Sequence, residues 1–328
     1  MVLQRRREHR RHVIEDDSQI GEARRDAQRL AMAYGLDATL TGRVAIAATE
    51  LATNLIRHGG GGVLLLQPLK AGAGEAIELL AIDRGRGMSD VDRCLNDGYS
   101  TGGTAGTGLG AVKRLSCEFD IHSVPGEGTV VMSRVSARPA SRFGAISIPV
   151  KGEIDCGDGW ALVEQADSTC LMVVDGLGHG AFAAIAAESA QQSFAAAPSE
   201  RPRTVLERAH RALTSTRGAA AAVARLTGAN SLSYAGVGNI TGYMIGNDKS
   251  QGLVSHNGTL GLTMPRLQQF EYERTAASLV VMHSDGLSAR WDLRKNAQLR
   301  ARHPAVIAGV LYRDHARPRD DATVVVLN

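Results

Sequence analysis

Two apolar runs that end in Asp-Gly pairs set the strongest limit on what this chain can become. Leu171-Met172-Val173-Val174 leads into Asp175-Gly176, and Leu279-Val280-Val281-Met282 leads through His283-Ser284 into Asp285-Gly286. Short aliphatic runs bounded by turn residues read as buried strands. Asp158, in Cys156-Gly157-Asp158-Gly159, and Asp320, just before the strand-like Val324-Val325-Val326-Leu327, share this setting. Taken singly, each Asp-Gly is a turn signal. A carboxylate at the end of a core strand is also held rigidly while glycine lets the backbone turn away. Several such ends can converge on hard, oxygen-loving cations such as Mg²⁺ or Mn²⁺. Two such ions can activate a water and clamp a phosphoryl group for hydrolysis.

In this order the four aspartates resemble the PPM family of metal-dependent serine/threonine phosphatases, in its SpoIIE/RsbX-like sporulation and stress-response branch. The resemblance runs from about Gly152 to the C-terminus. It includes Asp175-Gly176-Leu177-Gly178-His179-Gly180, Gly236-Val237-Gly238-Asn239 after an expected strand, and Asp320-Asp321-Ala322-Thr323. It implies an α-β-β-α sandwich in which Asp158, Asp175, Asp285 and Asp320 bind two Mn²⁺ or Mg²⁺ ions, with Asp175 central to catalysis and the Gly176 carbonyl assisting. Asp321 reads as a neighbour rather than a ligand. The chain departs from the pattern at one place: many members carry a His directly after the Asp-Gly pair as a proton donor, and here that position is Leu177. His179, two residues on, is the remaining candidate for a general acid.

The N-terminal half carries a different pattern. Within residues 48–58, Glu50, Asn54 and His58 recur every four residues and so line one face of a helix. Leu51, Leu55 and Ile56 fall largely off that line and pack inward. Alone, such a stripe is a solvated face, but two glycine-rich segments downstream of it point elsewhere. The strand-like Ile77–Ile82 ends in Asp83-Arg84-Gly85-Arg86-Gly87-Met88, and a second glycine cluster, Gly102 to Gly110, runs into the helical pattern Ala111-Val112-Lys113-Arg114-Leu115. Glycines let backbone amides approach phosphates, and the helix N-terminus behind them favours anions. There is no Gly-x-x-x-x-Gly-Lys-Ser/Thr P-loop. The Gly106-to-Gly110 cluster also lacks the preceding strand and downstream acid of a dinucleotide site.

Helix Glu/Asn, then Asp-x-Gly-x-Gly, then Gly-x-Gly-x-Gly resembles the GHKL (Bergerat) ATP-binding family over about residues 12–136. Within that family the chain looks most like the RsbT-type switch kinases that act on anti-sigma systems in bacterial partner switching. No phosphoacceptor-His helix precedes the pattern, which argues against a sensor histidine kinase. The resemblance implies an α/β sandwich in which Asn54 holds Mg²⁺ on the phosphates of ATP and Asp83 accepts from the adenine amino group. Gly85 and Gly87 in the first box, with Gly106, Gly108 and Gly110 in the second, would line the nucleotide. Glu50 would be the base that polarises the acceptor hydroxyl, in a reaction that depends mainly on positioning. His58 reads as an ordinary helix-end residue.

The length of 328 residues suits two domains, and 44% hydrophobic content is enough for two cores. Aromatics make up only 4%, so Ala, Val, Leu and Ile must fill them. Arg5, Arg6, Arg7, Arg10 and Arg11 against Glu8 account for +4, more than the whole net charge of +3, so the rest of the chain is about −1. That excludes a basic nucleic-acid surface, and the Arg run itself is expected to be a frayed, solvated terminus. Cys94, Cys117, Cys156 and Cys170 show no zinc spacing and suit a reducing compartment. With no apolar span and no apolar signal region, the expected location is the cytoplasm.

The chain is thus expected to be an α+β protein of two domains. Residues 1–136 form an ATP-binding domain with helices on one face of a mixed sheet. Residues 137–145 form a linker, since Ser136–Gly144 has Pro, Gly and charge without a period. Residues 146–328 form a phosphatase domain of two stacked antiparallel sheets flanked by helices. The expected function is a bifunctional partner-switching regulator: a metal-dependent protein serine/threonine phosphatase with an ATP-binding kinase-like half. Its partner would be a phosphorylated STAS-domain antagonist protein, with a sigma factor or stressosome-type complex as further partners and neither nucleic acid nor membrane. A rival reading makes the first half a non-catalytic nucleotide- or sigma-factor-binding module, against which Glu50 counts, because a pure binder needs no base. A catalytically dead phosphatase is opposed by the intact aspartate set.

Overall fold

The computed structural model describes residues 1–5, 9–95, 108–140, 142–246, 249–264 and 266–328. The chain opens with β1 (Val2–Arg5), β2 (Arg10–Ile14), α1 (Asp17–Ala33), α2 (Ala38–Gly59), β3 (Gly62–Ala71) and β4 (Gly74–Ile82). It continues through α3 (Val91–Leu95), α4 (Gly108–Leu115), β5 (Glu118–Val124), β6 (Gly128–Val135), β7 (Phe143–Ile148), β8 (Asp158–Glu164) and β9 (Ser168–Gly176). Then come α5 (Ala181–Ala196), α6 (Pro202–Ala212), β10 (Ala219–Thr227), β11 (Ser231–Val237), β12 (Thr241–Ile245), β13 (Ser250–Leu253), β14 (Phe270–Glu273) and β15 (Leu279–His283). It ends with α7 (Ala297–Arg300), α8 (Pro304–His315) and β16 (Ala322–Leu327). These elements form two compact units. One comprises Met1–Arg6, Phe143–Arg300 and Asp314–Asn328, and the other Arg7–Arg142 and Ala301–Arg313.

The unit containing Arg7–Arg142 is built on one sheet in the order β2-β3-β4-β6-β5. Every neighbouring pair in it is antiparallel, which corrects the expectation of a mixed sheet. The cause is the β5–β6 hairpin. The segment carrying α3 and α4 takes the chain to the sheet edge at β5, and the turn at Pro125-Gly126 returns β6 into the place beside β4. Helices α1 and α2 start on side-chain caps: Asp16 accepts from Ser18 N at 2.9 Å, and Asp37 from Leu40 N at 2.8 Å. Their apolar stripes, including Ala27, Leu30, Ala48, Leu51 and Leu55, pack on Leu64, Leu66, Ile77 and Leu79 of the sheet.

On the sheet's other face the register builds a polar row. Gln67 stands opposite Glu78, Glu78 opposite Arg134, and Arg134 opposite Glu118. Arg134 is fully buried and donates through Nε to Glu78 Oε2 at 2.7 Å, while Gln67 Nε2 donates to Glu78 Oε1 at 2.6 Å. Leu80 and Val130 share this face, and Gly309 of α8 lies against both; a Cβ there would stand 2.7 Å from Val130 Cγ1.

The other unit has two antiparallel sheets, β1-β8-β9-β10-β11-β14 and β13-β12-β15-β16-β7. Phe143 of β7 meets Trp160 of β8 with ring centroids 5.4 Å apart. Small and aliphatic residues of α5 and α6, among them Ala186, Ala190, Val205 and Leu206, pack on Val163, Met172, Val174 and Val223 of the first sheet. Strand β7 begins at Phe143, inside the stretch expected to connect the two halves.

Val2–Arg5 form a paired strand where a frayed end was expected. Strand β1 pairs with β8, Val2 opposite Glu164 and Arg5 opposite Ala161, and Gln4 is buried. Pairing covers what would otherwise be an open sheet edge at β8. Arg10 is not part of a free charge run either: it donates to Asp26 at 2.6 Å, beside His12 at 2.9 Å from the same carboxylate. Arg6, Arg7 and Glu8 lie outside the described residues. Among the described residues no helix is long and apolar enough to cross a membrane.

The buried Arg134–Glu78 pair carries a stability prediction. Glu78→Ala leaves the buried Arg134 guanidinium with only the longer contact to Glu118 Oε2, at 3.3 Å, and should cost about 3 kcal/mol. Glu78→Gln, which keeps the shape and an acceptor, should cost less. Denaturant unfolding monitored on this unit checks both, and near-neutral Glu78→Ala would refute the role given to the pair.

Candidate functional site

Strand pairing, rather than proximity in sequence, assembles the four aspartates. Asp158 begins β8, Asp175 lies one residue before the end of β9, and the two are direct cross-strand partners. Side chains at such positions stand about 4.5–5.5 Å apart at Cβ. Asp285 lies two residues after β15, and Asp320 two before β16, its antiparallel neighbour. The turn after Asp285 requires glycine: a Cβ on Gly286 would be 1.8 Å from the Asp321 carbonyl oxygen. Gly176 is similarly tight, with the Ala183 carbonyl oxygen 2.3 Å from where its Cβ would be.

Polar groups outside the four aspartates hold this set. Asn239 Nδ2 donates to Asp285 Oδ2 at 2.7 Å and reaches Asp175 Oδ2 at 3.4 Å, joining carboxylates from the two sheets. Ser284 Oγ donates to Asp158 Oδ2 at 2.6 Å and accepts from Thr323 N at 3.1 Å. The motif Gly236-Val237-Gly238-Asn239 is a signal for the first; nothing local marks Ser284 or Thr323. Asp321 is buried, and its two oxygens accept from Val150 N at 2.7 Å and Gly157 N at 2.6 Å. Its carboxylate therefore fastens the loops around the site. His179 Nδ1 meets Glu153 Oε1 at 2.8 Å, and Leu177 is exposed while its amide donates to the Gly218 carbonyl at 3.0 Å.

The electrostatics are those of crowded like charges. Burial pushes the Asp175 carboxyl well above the usual carboxylate range, and Asp158, Asp285 and Asp320 push it further. Asp158 is raised by burial, against the donation from Ser284, and then by Asp321 and Asp320. Asp320 is raised by burial and by Asp285. None of the four has an ion-pair partner among the described residues. An all-oxygen, anionic set of this kind suits a hard divalent cation. Among the described residues no three His, Cys, Asp or Glu side chains are arranged to hold one ion between them. Cross-strand pairing and the Asn239 amide nevertheless tie Asp175 to Asp158 and Asp285. Both observations fit cations that keep several waters and take one or two carboxylates each, as Mg²⁺ does.

A second constellation lies in the other unit. Glu50 and Asn54 sit half-buried on α2, and Gly108, the first residue of α4, lies against both. A Cβ on Gly108 would be 3.1 Å from Glu50 Oε2 and 3.5 Å from Asn54 Oδ1. Asn54 Nδ2 is buried without a partner among the described residues, so the site offers a donor with nothing to receive it. Asp83 follows β4, and its Oδ1 accepts from Gly85 N at 2.8 Å and Thr129 N at 3.1 Å. These bonds orient the carboxylate, while burial raises its pKa against them.

The glycines around Asp83 are steric necessities. Gly59 packs on Asp83 Cβ, Gly85 on the His58 carbonyl, and Gly87 (φ 66°) on the Val124 carbonyl. Gly110 is buried within α4, and Gly106 lies outside the described residues. His58 ends its helix against Arg86, with Nδ1 3.2 Å from Nη2. An open cleft of about 480 Å³ bounded by Asp90, Leu95, Lys113 and Phe119 contains none of Glu50, Asn54 or Asp83. The helix-borne acid and amide, the anchored aspartate and the glycine cradle fit a nucleotide with its cation.

Both halves of the chain match known families. Residues 165–328 match the family described as "Stage II sporulation protein E (SpoIIE)", and residues 14–134 match the "Histidine kinase-like ATPase domain". The chain is 33% identical to serine/threonine-protein kinase RsbT of Bacillus subtilis (strain 168) over 111 residues, 34% of this chain and 84% of that protein. It is 30% identical to the anti-sigma F factor of Thermoanaerobacter sp. (strain X514) over 107 residues, 31% of this chain and 75% of that protein. Among solved structures, one described under the bacterial stressosome has a TM-score of 0.53 at 28% identity, covering 56% of this chain and 97% of its own. RsbX in complex with magnesium has a TM-score of 0.50 at 19% identity, covering 64% of this chain and 98% of its own, a likeness of fold.

The raised carboxylate pKa values set the sign of a pH effect. Groups whose folded-state pKa exceeds the unfolded value favour the folded state below the unfolded pKa, and that contribution is lost as pH rises through the folded value. In chelator, this unit should therefore lose stability as pH rises from about 4, where the unfolded carboxylates ionise, to about 9, the raised value of Asp175, and a bound divalent cation should offset the loss. Melting curves with and without Mg²⁺ or Mn²⁺ should show a cation-induced rise in Tm that grows with pH. A rise independent of pH, or none, would contradict the site.

Proposed function

The chain belongs to the Stage II sporulation protein E family over residues 165–328 and to the histidine kinase-like ATPase family over residues 14–134, and from this we propose a bifunctional regulator of partner switching. Its C-terminal half is a protein serine/threonine phosphatase, and its N-terminal half is kinase-like and RsbT-related. The observation that carries the reading is the convergence of Asp158, Asp175, Asp285 and Asp320 from two sheets, with Asn239 joining Asp175 to Asp285. Two Mg²⁺ or Mn²⁺ ions held there would polarise the phosphoryl group and activate the attacking water. The chain's own contribution is to fix the ligands. Ser284 orients Asp158, Asn239 orients Asp285 and Asp321 pins the surrounding loops; Asp175 and the Gly176 carbonyl would be further oxygen ligands. With Leu177 directly after the Asp-Gly pair, His179, oriented by Glu153, is the group nearest in sequence to serve as an acid.

In the other half, Asn54 would hold the Mg²⁺ of ATP, Asp83 would receive the adenine amino group, and Gly85, Gly87, Gly106, Gly108 and Gly110 would let the backbone come close to the nucleotide. Glu50 polarises the hydroxyl that takes the phosphoryl group, and its placement beside Gly108 supports that role. The substrate of both activities is a STAS-domain protein carrying a serine or threonine that one half phosphorylates and the other dephosphorylates, within a stressosome-type or sigma-factor circuit. The cytoplasm is the compartment that suits such a circuit.

Asn54→Ala and Asp83→Ala should each weaken calorimetric binding of ATP with Mg²⁺ by about tenfold or more, since each removes a buried polar contact. Unchanged affinity in both would reject the nucleotide site. On one partner protein, a crossed pattern is expected. Asp175→Asn should lower phosphatase turnover by about three orders of magnitude or more, through loss of the ions that activate water, with ATP binding intact. Glu50→Ala should leave the phosphatase intact and abolish partner phosphorylation while ATP still binds. If Glu50→Ala leaves partner phosphorylation unchanged, the N-terminal half is a nucleotide-gated binding module instead.

A further inference from the structure

Arg217 is set against the loop following Asp175, and no carboxylate pairs with it among the described residues. Strand β10 runs beside β9 with Ala220 opposite Asp175 and Ala219 opposite Gly176. The ladder extends by one bond, Leu177 N to the Gly218 carbonyl at 3.0 Å. Arg217 is thus the residue that leads into β10, abreast of Gly178. Gly178 has φ 84°, and a Cβ on it would stand 3.3 Å from Arg217 Nη1, so glycine leaves the guanidinium its place there. No ion pair or hydrogen bond to Arg217 exists among the described residues, although four aspartates belong to the adjoining site.

What holds Arg217 is an aromatic ring. Its guanidinium carbon lies 4.9 Å from the centroid of Phe182, in the first turn of α5. Phe182 is 64% exposed, so its ring face is open to the guanidinium from solvent. Stacking on a ring face restrains a guanidinium while leaving its five N–H donors available. Four carboxylates repel an approaching phosphomonoester dianion. A fixed, unpaired guanidinium at the edge of such a site attracts one and can bond two of its oxygens through parallel N–H donors.

We propose that Arg217, restrained on Phe182, binds the phosphate of the phosphorylated serine or threonine substrate, with Phe182 as a positioning residue. The proposal rests on the phosphatase reading above. In the reaction, water forms a new P–O bond as the bond to the seryl or threonyl oxygen breaks, and a proton given up by the water passes to that oxygen, leaving inorganic phosphate and the free hydroxyl. Arg217 contacts the non-bridging oxygens throughout and exchanges no proton.

The test uses the full chain with Mn²⁺, a phosphoserine peptide, para-nitrophenyl phosphate, and inorganic phosphate as a competitive inhibitor. Arg217→Ala should raise KM for both substrates and the inhibition constant of phosphate by about tenfold or more, as expected for losing a charge-assisted bond. The Mn²⁺ concentration giving half-maximal activity should not move. Arg217→Lys should recover part of the loss, because a point charge lacks the fork. Phe182→Leu, which preserves an apolar side chain but not the ring face, should fall between wild type and Arg217→Ala. Unchanged KM and phosphate inhibition in Arg217→Ala would overturn the proposal, as would a loss fully explained by a shifted Mn²⁺ requirement. Absence of turnover in the unaltered protein would overturn the phosphatase reading itself, and with it this one.

Discussion

The register of β8 against β9 is the constraint on which the C-terminal site depends. Because Asp158 and Asp175 are cross-strand partners, neither can move along its strand without carrying the whole ladder. A slip of one residue by either strand would turn its carboxylate to the opposite face of the sheet and part the pair. The ladder is secured on either side, by β1 pairing with β8 and by β10 pairing with β9 over nine residues. Two buried acids facing each other are costly in isolation, and the raised pKa values of Asp158 and Asp175 express that cost. The fold therefore holds the two groups in an arrangement that a divalent cation would relieve.

The same logic governs the second unit by different means. Here close backbone approach, rather than like charge, is the organising element. Gly59, Gly85, Gly87 and Gly128 pack where any Cβ would collide with Asp83, His58 or Val124. Asp83 is thereby surrounded by backbone and anchored through one oxygen, while the unpartnered amide of Asn54 lies next to Gly108. Structures that expose oriented polar groups in this way are prepared for a polar ligand, since leaving such groups unsatisfied costs free energy.

Local patterns were sufficient to find the candidate residues. The aliphatic runs before Asp175 and Asp285, the stripe of Glu50 and Asn54, and the two glycine boxes depend on neighbours a few residues away, where periodicity and turn chemistry act. Groups that support those residues were harder to see. Ser284 reaches Asp158 across 126 positions, and Asp321 reaches Gly157 across 164. A serine after a strand carries no local sign of which carboxylate it will orient. The Arg-rich start misled for the same reason: charge density suggests solvation, whereas Arg10 has a partner in Asp26, and Val2–Arg5 has an edge strand to complete.

By itself, the sequence determined the elements and the chemistry available to them: strands ending in aspartate, a helix bearing Glu50 and Asn54, and glycines where the backbone must come close. These reflect steric and solvation preferences acting over a few residues. Only the tertiary structure decided which groups meet. It set every strand of the first sheet antiparallel, placed Ala301–Arg313 in the unit formed by Arg7–Arg142, joined Asp175 to Asp285 through Asn239, and set Arg217 on Phe182. Contacts between distant segments are selected by burial and pairing over the whole chain, so no short stretch of sequence contains them.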